Sequence, residues 1–256
     1  LALAWQGALC YGVQLYFDFS GYSDMAIGLA RLFGVRLPAN FDSPYASLSI
    51  VEFWRRWHMT LSRFLRDYVY IPLGGNKRGE TQRSVNLMLT MLLGGLWHGA
   101  NYTFVIWGGM HGAYLLIAHL WQKRAPWRLP SLFARALTLA AVLLAWAPFR
   151  ADSATEAGTM MAGMIGLKGL RLDQVGFSPG GFAAAFALLI ACVILPNARQ
   201  ILREYHPTLG EPAPAVRFMP KLFAWPSPLW AAFLAIGIVA VELFSWQTSE
   251  FLYFRF

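Results

Sequence analysis

The chain has 256 residues, 57% of them hydrophobic and only 13% charged, with a formal net charge of +8. A soluble chain of this size carries about 25% charged residues, so the composition excludes an ordinary soluble domain. The positive charge does not point to nucleic acid, because the basic residues lie in short loops between apolar runs, where membrane topology places Lys and Arg.

A membrane-spanning helix takes roughly 20 mostly apolar residues. Stretches of that kind fall at about 1–19, 86–100, 102–121, 132–149, 181–196 and 228–246. The first, LALAWQGALCYGVQLYF, opens on Leu with no basic region ahead of it. It reads as the middle of a longer protein rather than as a signal peptide. Asp18 and Asp24 follow in YFDFSGYSDMAIG. A carboxylate in an apolar run is either functional or a span-end group bonded to backbone, and pattern leaves both readings open.

Between the first two runs, Ile50, Phe53, Trp54, Trp57, Leu61, Phe64, Leu65 and Tyr68 step by three and four, with Arg55, Arg56, Arg63 and Arg66 on the other side. The spacing predicts one amphipathic helix over 48–70 that lies along the interface or dips in shallowly. His58 falls on its apolar side, near Val51, Trp54, Leu61 and Leu65. The turn Asn76-Lys77-Arg78 then suits either a topology signal or a phosphate or lipid headgroup.

The 86–100 run is short and ends in Gly-Ala-Asn, as a half-helix or one arm of a hairpin with its apex near Asn101. It holds His98 in Gly95-Leu-Trp-His-Gly99, and the next run holds His111 in Gly108-Gly-Met-His-Gly112. Both are small-xxx-small arrangements that let helix backbones approach closely. Each histidine is therefore either a hydrogen-bonding contact between helices or a functional group. By the positive-inside rule, 31–85, 122–135 and 197–227 are cytoplasmic, and the mixed-sign 150–180 is external.

Cys10 and Cys192 lie in apolar runs and read as small buried hydrophobes, with no metal site or disulfide framework. No phosphate loop, dinucleotide fingerprint or nucleophile elbow occurs. Burial favours the neutral imidazole, which can take a proton from an alcohol at neutral pH without a metal. That suits acyl transfer to a hydroxyl. A proton relay in a transporter uses the same residue types, and pattern does not separate the two.

Three blocks carry a resemblance: QLYFDFSGYSDMAIGLARLFG, FDSPYASLSIVEFWRRWHMTLSRFLRDYVYIPLGGNKRG and LLGGLWHGANYTFVIWGGMHGAYL. In this order, over about 12–117, they resemble the membrane-bound O-acyltransferase (MBOAT) family, nearest its bacterial alginate O-acetyltransferase branch. The closing FLYFRF is similar to that branch as well. The resemblance implies an all-α, multi-pass transmembrane bundle of MBOAT type that includes the amphipathic or re-entrant segment. It makes 1–256 a single membrane domain, the C-terminal portion of that fold without its N-terminal half. The family fold is a ring of tilted helices around a funnel, thin at the middle, where two histidines meet.

The family's Trp-His-Gly falls on Trp97-His98-Gly99, and its upstream histidine on His58, so the resemblance makes His98 and His58 the catalytic pair. Trp97, Trp57, Trp54, Asn101, His111 and Asp18 are candidates for the pocket wall or its support. The resemblance further implies acetyl transfer in the bacterial inner membrane. A cytoplasmic thioester, acetyl-CoA, would donate to an extracytoplasmic polysaccharide such as alginate, directly or through periplasmic acetyltransferase partners, with no bound cofactor or metal. The alternatives are another wall polymer as acceptor (peptidoglycan, cellulose or teichoic acid) or a transporter with a histidine proton relay.

Overall fold

The structure is a computed structural model that describes residues 1–125, 129–169, 176–210 and 227–244. Those residues form ten α-helices: α1 (Ala2–Leu32), α2 (Ile50–Arg56), α3 (Met59–Leu65), α4 (Gly79–His98), α5 (Tyr102–Arg124), α6 (Ser131–Arg150), α7 (Ala154–Met164), α8 (Pro179–Ile194), α9 (Ala198–Ile201) and α10 (Pro228–Phe244). Among the described residues there is no strand, only one isolated bridge between Pro38 and Leu209. Three apolar stretches, Tyr102–Arg124, Ser131–Arg150 and Pro179–Tyr205, are long enough to cross a membrane.

Local chemistry sets the helix starts. Ser49 caps α2 by accepting the Glu52 N–H at 3.2 Å, while the Glu52 carboxylate takes the Leu48 N–H at 2.8 Å. Ser153 and Glu156 repeat the device at α7, and Ser178 followed by Pro179 starts α8. Such caps satisfy N–H groups that a helix cannot pair internally. This matters more in an apolar surround, where water does not compensate.

α4 and α5 form a tight antiparallel hairpin, and glycine is what allows it. A Cβ on Gly95 would run into the Phe104 carbonyl oxygen, and one on Gly108 into the Met91 carbonyl oxygen. The small-xxx-small reading of both motifs thus has a specific cause, backbone against backbone. The arm is longer than the 86–100 run implies, because the polar turn GETQRS joins the helix. The exposed ends of the hairpin are tied by an ion pair between Glu80 and Lys123. At its other end, Asn101 Nδ2 donates to the Asp152 carbonyl at 3.1 Å, so the α4–α5 and α6–α7 turns share one end of the bundle.

Aromatic rings fill the centre. Trp57 stacks on Phe53 with centroids 5.6 Å apart, and Trp146 lies 5.1 Å from Trp57 and stacks on Trp107 at 6.2 Å. Tyr45, fully enclosed, donates its hydroxyl to the Gly12 carbonyl of α1 at 2.6 Å. α1, α6 and α8 pack around this cluster.

The structure differs from the sequence reading in several places. Cys10, read as a small buried hydrophobe, is exposed, because it lies on an outward face of α1. The 48–70 segment is two short helices and a π-turn (Arg66–Tyr70) rather than one helix, and Phe64 and Tyr68 of the expected apolar face are exposed. The first run extends to Leu32, because the polar stretch around Asp18 and Asp24 stays helical. The 150–180 segment contains α7, whose small residues pack against α6 and α1; Gly163 sits against Ala4. Residues 245–246 of the last expected run lie outside the described residues.

Candidate active site

The break between α2 and α3 builds the first half of the site. His58 takes φ 42° and ψ 55°, left-handed backbone that L-residues other than Asn, Asp and His rarely adopt. The non-helical stretch around 37–42 pairs the backbone groups that the break releases. The Asp42 N–H donates to the Arg56 carbonyl at 3.0 Å, and the Met59 N–H to the Asn40 carbonyl at 2.9 Å. α3 restarts when the Ser62 N–H returns to the His58 carbonyl at 3.0 Å. The helical wheel of an unbroken segment therefore does not describe where His58 goes.

The His58 ring is held from two sides. Its Nδ1 lies 3.1 Å from Asn40 Oδ1 and 3.4 Å from Thr60 Oγ1. Phe19 of α1 meets it edge to face, with centroids 4.8 Å apart and planes at 87°. Burial pushes the His58 imidazole below its ordinary range, and the neighbouring His98 adds to the depression. The ring is therefore neutral at physiological pH and able to accept a proton.

His98 is the last residue of α4. Aromatic rings surround it: Trp97 at 5.0 Å, Trp107 at 5.2 Å, Phe149 at 5.1 Å and Phe104 at 6.2 Å. Gly99 follows, and a Cβ there would lie 2.7 Å from the Phe104 ring, so that glycine lets α5 begin against the histidine. Trp97 joins the two halves of the site. Its ring contacts His58 at 6.4 Å as well as His98, and it stays 58% exposed, on the open side of the pair.

The other candidates fall elsewhere. His111 is fully enclosed, stacked on Phe53, and accepts the Trp54 Nε1–H at 3.3 Å on its Nδ1. That pair ties α2 to α5, which is the helix-contact reading. Trp57 lies in the aromatic core against Phe41, Phe53 and Trp146, and its ring contacts neither site histidine. Asn101 caps α5 by accepting the Thr103 N–H. Asp18 is half-buried beside Phe19 on α1, with no hydrogen bond or ion pair to either histidine among the described residues. Residue patterns missed Asn40 and Phe19. The available signal was the Pro-bounded LPANFDSPY, a non-helical stretch with an amide just before the conspicuous FDSPY.

A cavity of about 300 Å³ opens between α1 and the α8–α9 segment, lined by Asp24, Cys192 and Arg199 among others. Neither site histidine lines it. Among the described residues, no three His, Cys, Asp or Glu side chains gather as a metal site would require.

The two imidazoles, His58 and His98, thus share contacts with the Trp97 ring. The model of the MBOAT, membrane-bound O-acyltransferase family, matches residues 1–144, and the chain belongs to that family. It is 42% identical to the probable alginate O-acetylase AlgI of Pseudomonas putida over 259 residues, covering 99% of this chain and 53% of that protein. It is also 48% identical to the peptidoglycan O-acetyltransferase of Helicobacter pylori over 172 residues, 66% of this chain and 33% of that protein. A third relative, the teichoic acid D-alanyltransferase of Streptococcus thermophilus, is 39% identical over 121 residues, 44% of this chain and 29% of that protein. The chain thus spans about half the length, or less, of these curated relatives.

Proposed function

We propose that this chain carries the catalytic histidines of a multi-pass O-acyltransferase of the bacterial inner membrane, which moves acetyl groups from acetyl-CoA on the cytoplasmic side to an extracytoplasmic polysaccharide of the alginate type. Delivery is direct or through periplasmic acetyltransferase partners. The single observation that carries the reading is the convergence of His58 and His98 on Trp97, from a helix break and a helix end. In this reading one neutral imidazole takes the proton of the attacking hydroxyl as its oxygen bonds to the thioester carbonyl. The thiolate of coenzyme A leaves and is protonated, so the acetyl group moves and no metal or redox partner is needed.

Acetyl as the group and alginate as the acceptor draw support from the alginate O-acetylases among the relatives, one of which aligns with nearly the whole chain. Peptidoglycan and teichoic acid remain the runner-up acceptors, on the two other relatives named above.

The test uses the full-length protein in membrane vesicles with labelled acetyl-CoA. Thioester cleavage coupled to acetylation of added polymer is expected. His98→Gln removes one imidazole of the pair and should lower transfer by about 100-fold through misplacement of the reacting groups. Proton-coupled flux without thioester cleavage would replace this reading with a transporter.

A further inference from the structure

Asn40 lies at the centre of a hydrogen-bond cluster that the acyl-transfer reading does not itself require. Its Oδ1 receives the Thr60 backbone N–H at 3.3 Å and faces Thr60 Oγ1 at 2.8 Å and His58 Nδ1 at 3.1 Å. Its Nδ2 donates to Ser23 Oγ on α1 at 3.2 Å.

The orientation of an Asn amide and the tautomer of a His are ordinarily free choices. Here one contact decides both. A backbone N–H can only donate, so the Asn40 atom facing Thr60 N must be the carbonyl oxygen. That same oxygen faces His58 Nδ1, and an oxygen without a proton can only accept. His58 Nδ1 must therefore carry the hydrogen. The Thr60 hydroxyl, which donates its own proton to Asn40 Oδ1, presents a lone pair to Nδ1 from the second side. Both neighbours of Nδ1 thus act as acceptors.

We infer that Asn40 is a positioning residue that locks His58 in its Nδ1–H tautomer and leaves Nε2 with the lone pair that takes the acceptor's proton. The inference rests on the acyl-transfer reading and adds a division of labour within the site. The hydrogen bond on one ring nitrogen sets which nitrogen does chemistry on the other side. The groups around His58 are Phe19 on α1, Asn40 on the non-helical 37–42 stretch, Thr60 on α3, and Trp97 and His98 on α4. Of these only His98 carries a titratable ring, and burial lowers its pKa below the ordinary range.

Three variants of the full-length protein test this, each assayed for acetyl transfer across pH. Asn40→Ala removes the acceptor, and the rate should fall by about 10- to 100-fold at every pH, as for other partners that orient a histidine. Asn40→Asp keeps an oxygen opposite Nδ1 and adds negative charge, while the Ser23 hydroxyl can turn to donate. The carboxylate favours the imidazolium, so the acid limb of the rate profile should move up by about 1–3 pH units. Above that limb the Asp variant should recover most of the wild-type rate. A merely structural Asn40 would lower the rate of both variants alike and show no such pH-dependent rescue by the Asp variant. His58→Gln should abolish turnover.

If His58→Gln turns over normally, the catalytic reading of His58 falls and the tautomer lock with it. If His58→Gln is dead but Asn40→Asp keeps the wild-type acid limb, or behaves like Asn40→Ala at all pH values, the lock is overturned and the histidine assignment stands.

Discussion

Gly108 and Gly109 are neighbours on α5, and the structure assigns opposite outcomes to the same substitution at each. At Gly108 an added Cβ would overlap the Met91 carbonyl oxygen, with the carbonyl carbon 3.1 Å away and Leu92 Cα at 3.2 Å. All three are backbone atoms, so no rotamer change on α4 relieves the clash and the helices must move apart. Overpacking of this kind costs about 1–3 kcal/mol. At Gly109 the nearest atom is Leu92 Cδ2 at 3.7 Å, an ordinary contact. There Gly→Ala should gain about 0.5–1 kcal/mol of helix preference. The two alanine variants should therefore differ by roughly 1.5–4 kcal/mol, combining those ranges. The displacement also carries function, because His98 ends α4 and its wall rings Trp107 and Phe104 belong to α5. A shift of about 1 Å in a positioned group lowers rate by up to about 100-fold. Thermal unfolding in detergent and acetyl transfer in vesicles should both separate the pair, with Gly108→Ala low in each. Equal melting and equal turnover would refute the backbone-contact account of the hairpin.

His111→Gln should keep much of the acetyl transfer that His98→Gln loses, because His111 contacts Trp54 in the core, and its cost should show in thermal unfolding. The half-buried neutral His58 binds a proton more readily in the unfolded chain, since its folded pKa is depressed. Its contribution to stability should thus be intact above the unfolded value of about 6.5 and be lost as pH falls below it, while His58→Gln flattens that slope. The left-handed backbone at residue 58 should make His58→Gly more stable than His58→Ala by about 1–2 kcal/mol, with both inactive; an alanine variant at least as stable as the glycine one would remove the strain argument.

Features with a long period or a short-range cause were legible in the sequence. The apolar runs mark the helices of the bundle, and the glycine pairs around His98 and His111 mark the hairpin that brings α4 against α5. Loop charge placed 31–85 and 122–135 on one side, and the Glu80–Lys123 ion pair joins those two segments. What spacing could not show was the break at His58. Steps of three and four survive in 48–70 because Phe53, Trp57, Leu61 and Leu65 are all buried, though they belong to two helices and the cap between them. Periodicity reports burial along the chain and is blind to one residue with reversed φ. Asn40 escaped for a related reason: its partners lie 17 to 20 residues away, and their contact exists only once the break turns Thr60 toward it.

The break is itself informative about where the chemistry sits. In an apolar medium each unpaired backbone group is expensive, so irregular backbone persists only where protein or a watery cavity satisfies it. This chain meets that condition by laying the 37–42 stretch alongside the break, with one bond from Asp42 and one to Asn40. An unbroken helix would satisfy the same groups with no second segment and no left-handed residue. The broken form does one thing the helix cannot. It lets the segment that repairs the backbone also present Asn40 to the His58 ring, so that a single contact surface settles both helix termination and imidazole orientation. His98 sits where a helix ends rather than where one breaks, and its ring is held by aromatic faces instead of a hydrogen-bond acceptor. The two histidines are therefore not equivalent: one has a fixed tautomer, the other a fixed place. In the proposed acyl transfer, the first property would serve proton transfer and the second would serve alignment of the acceptor hydroxyl.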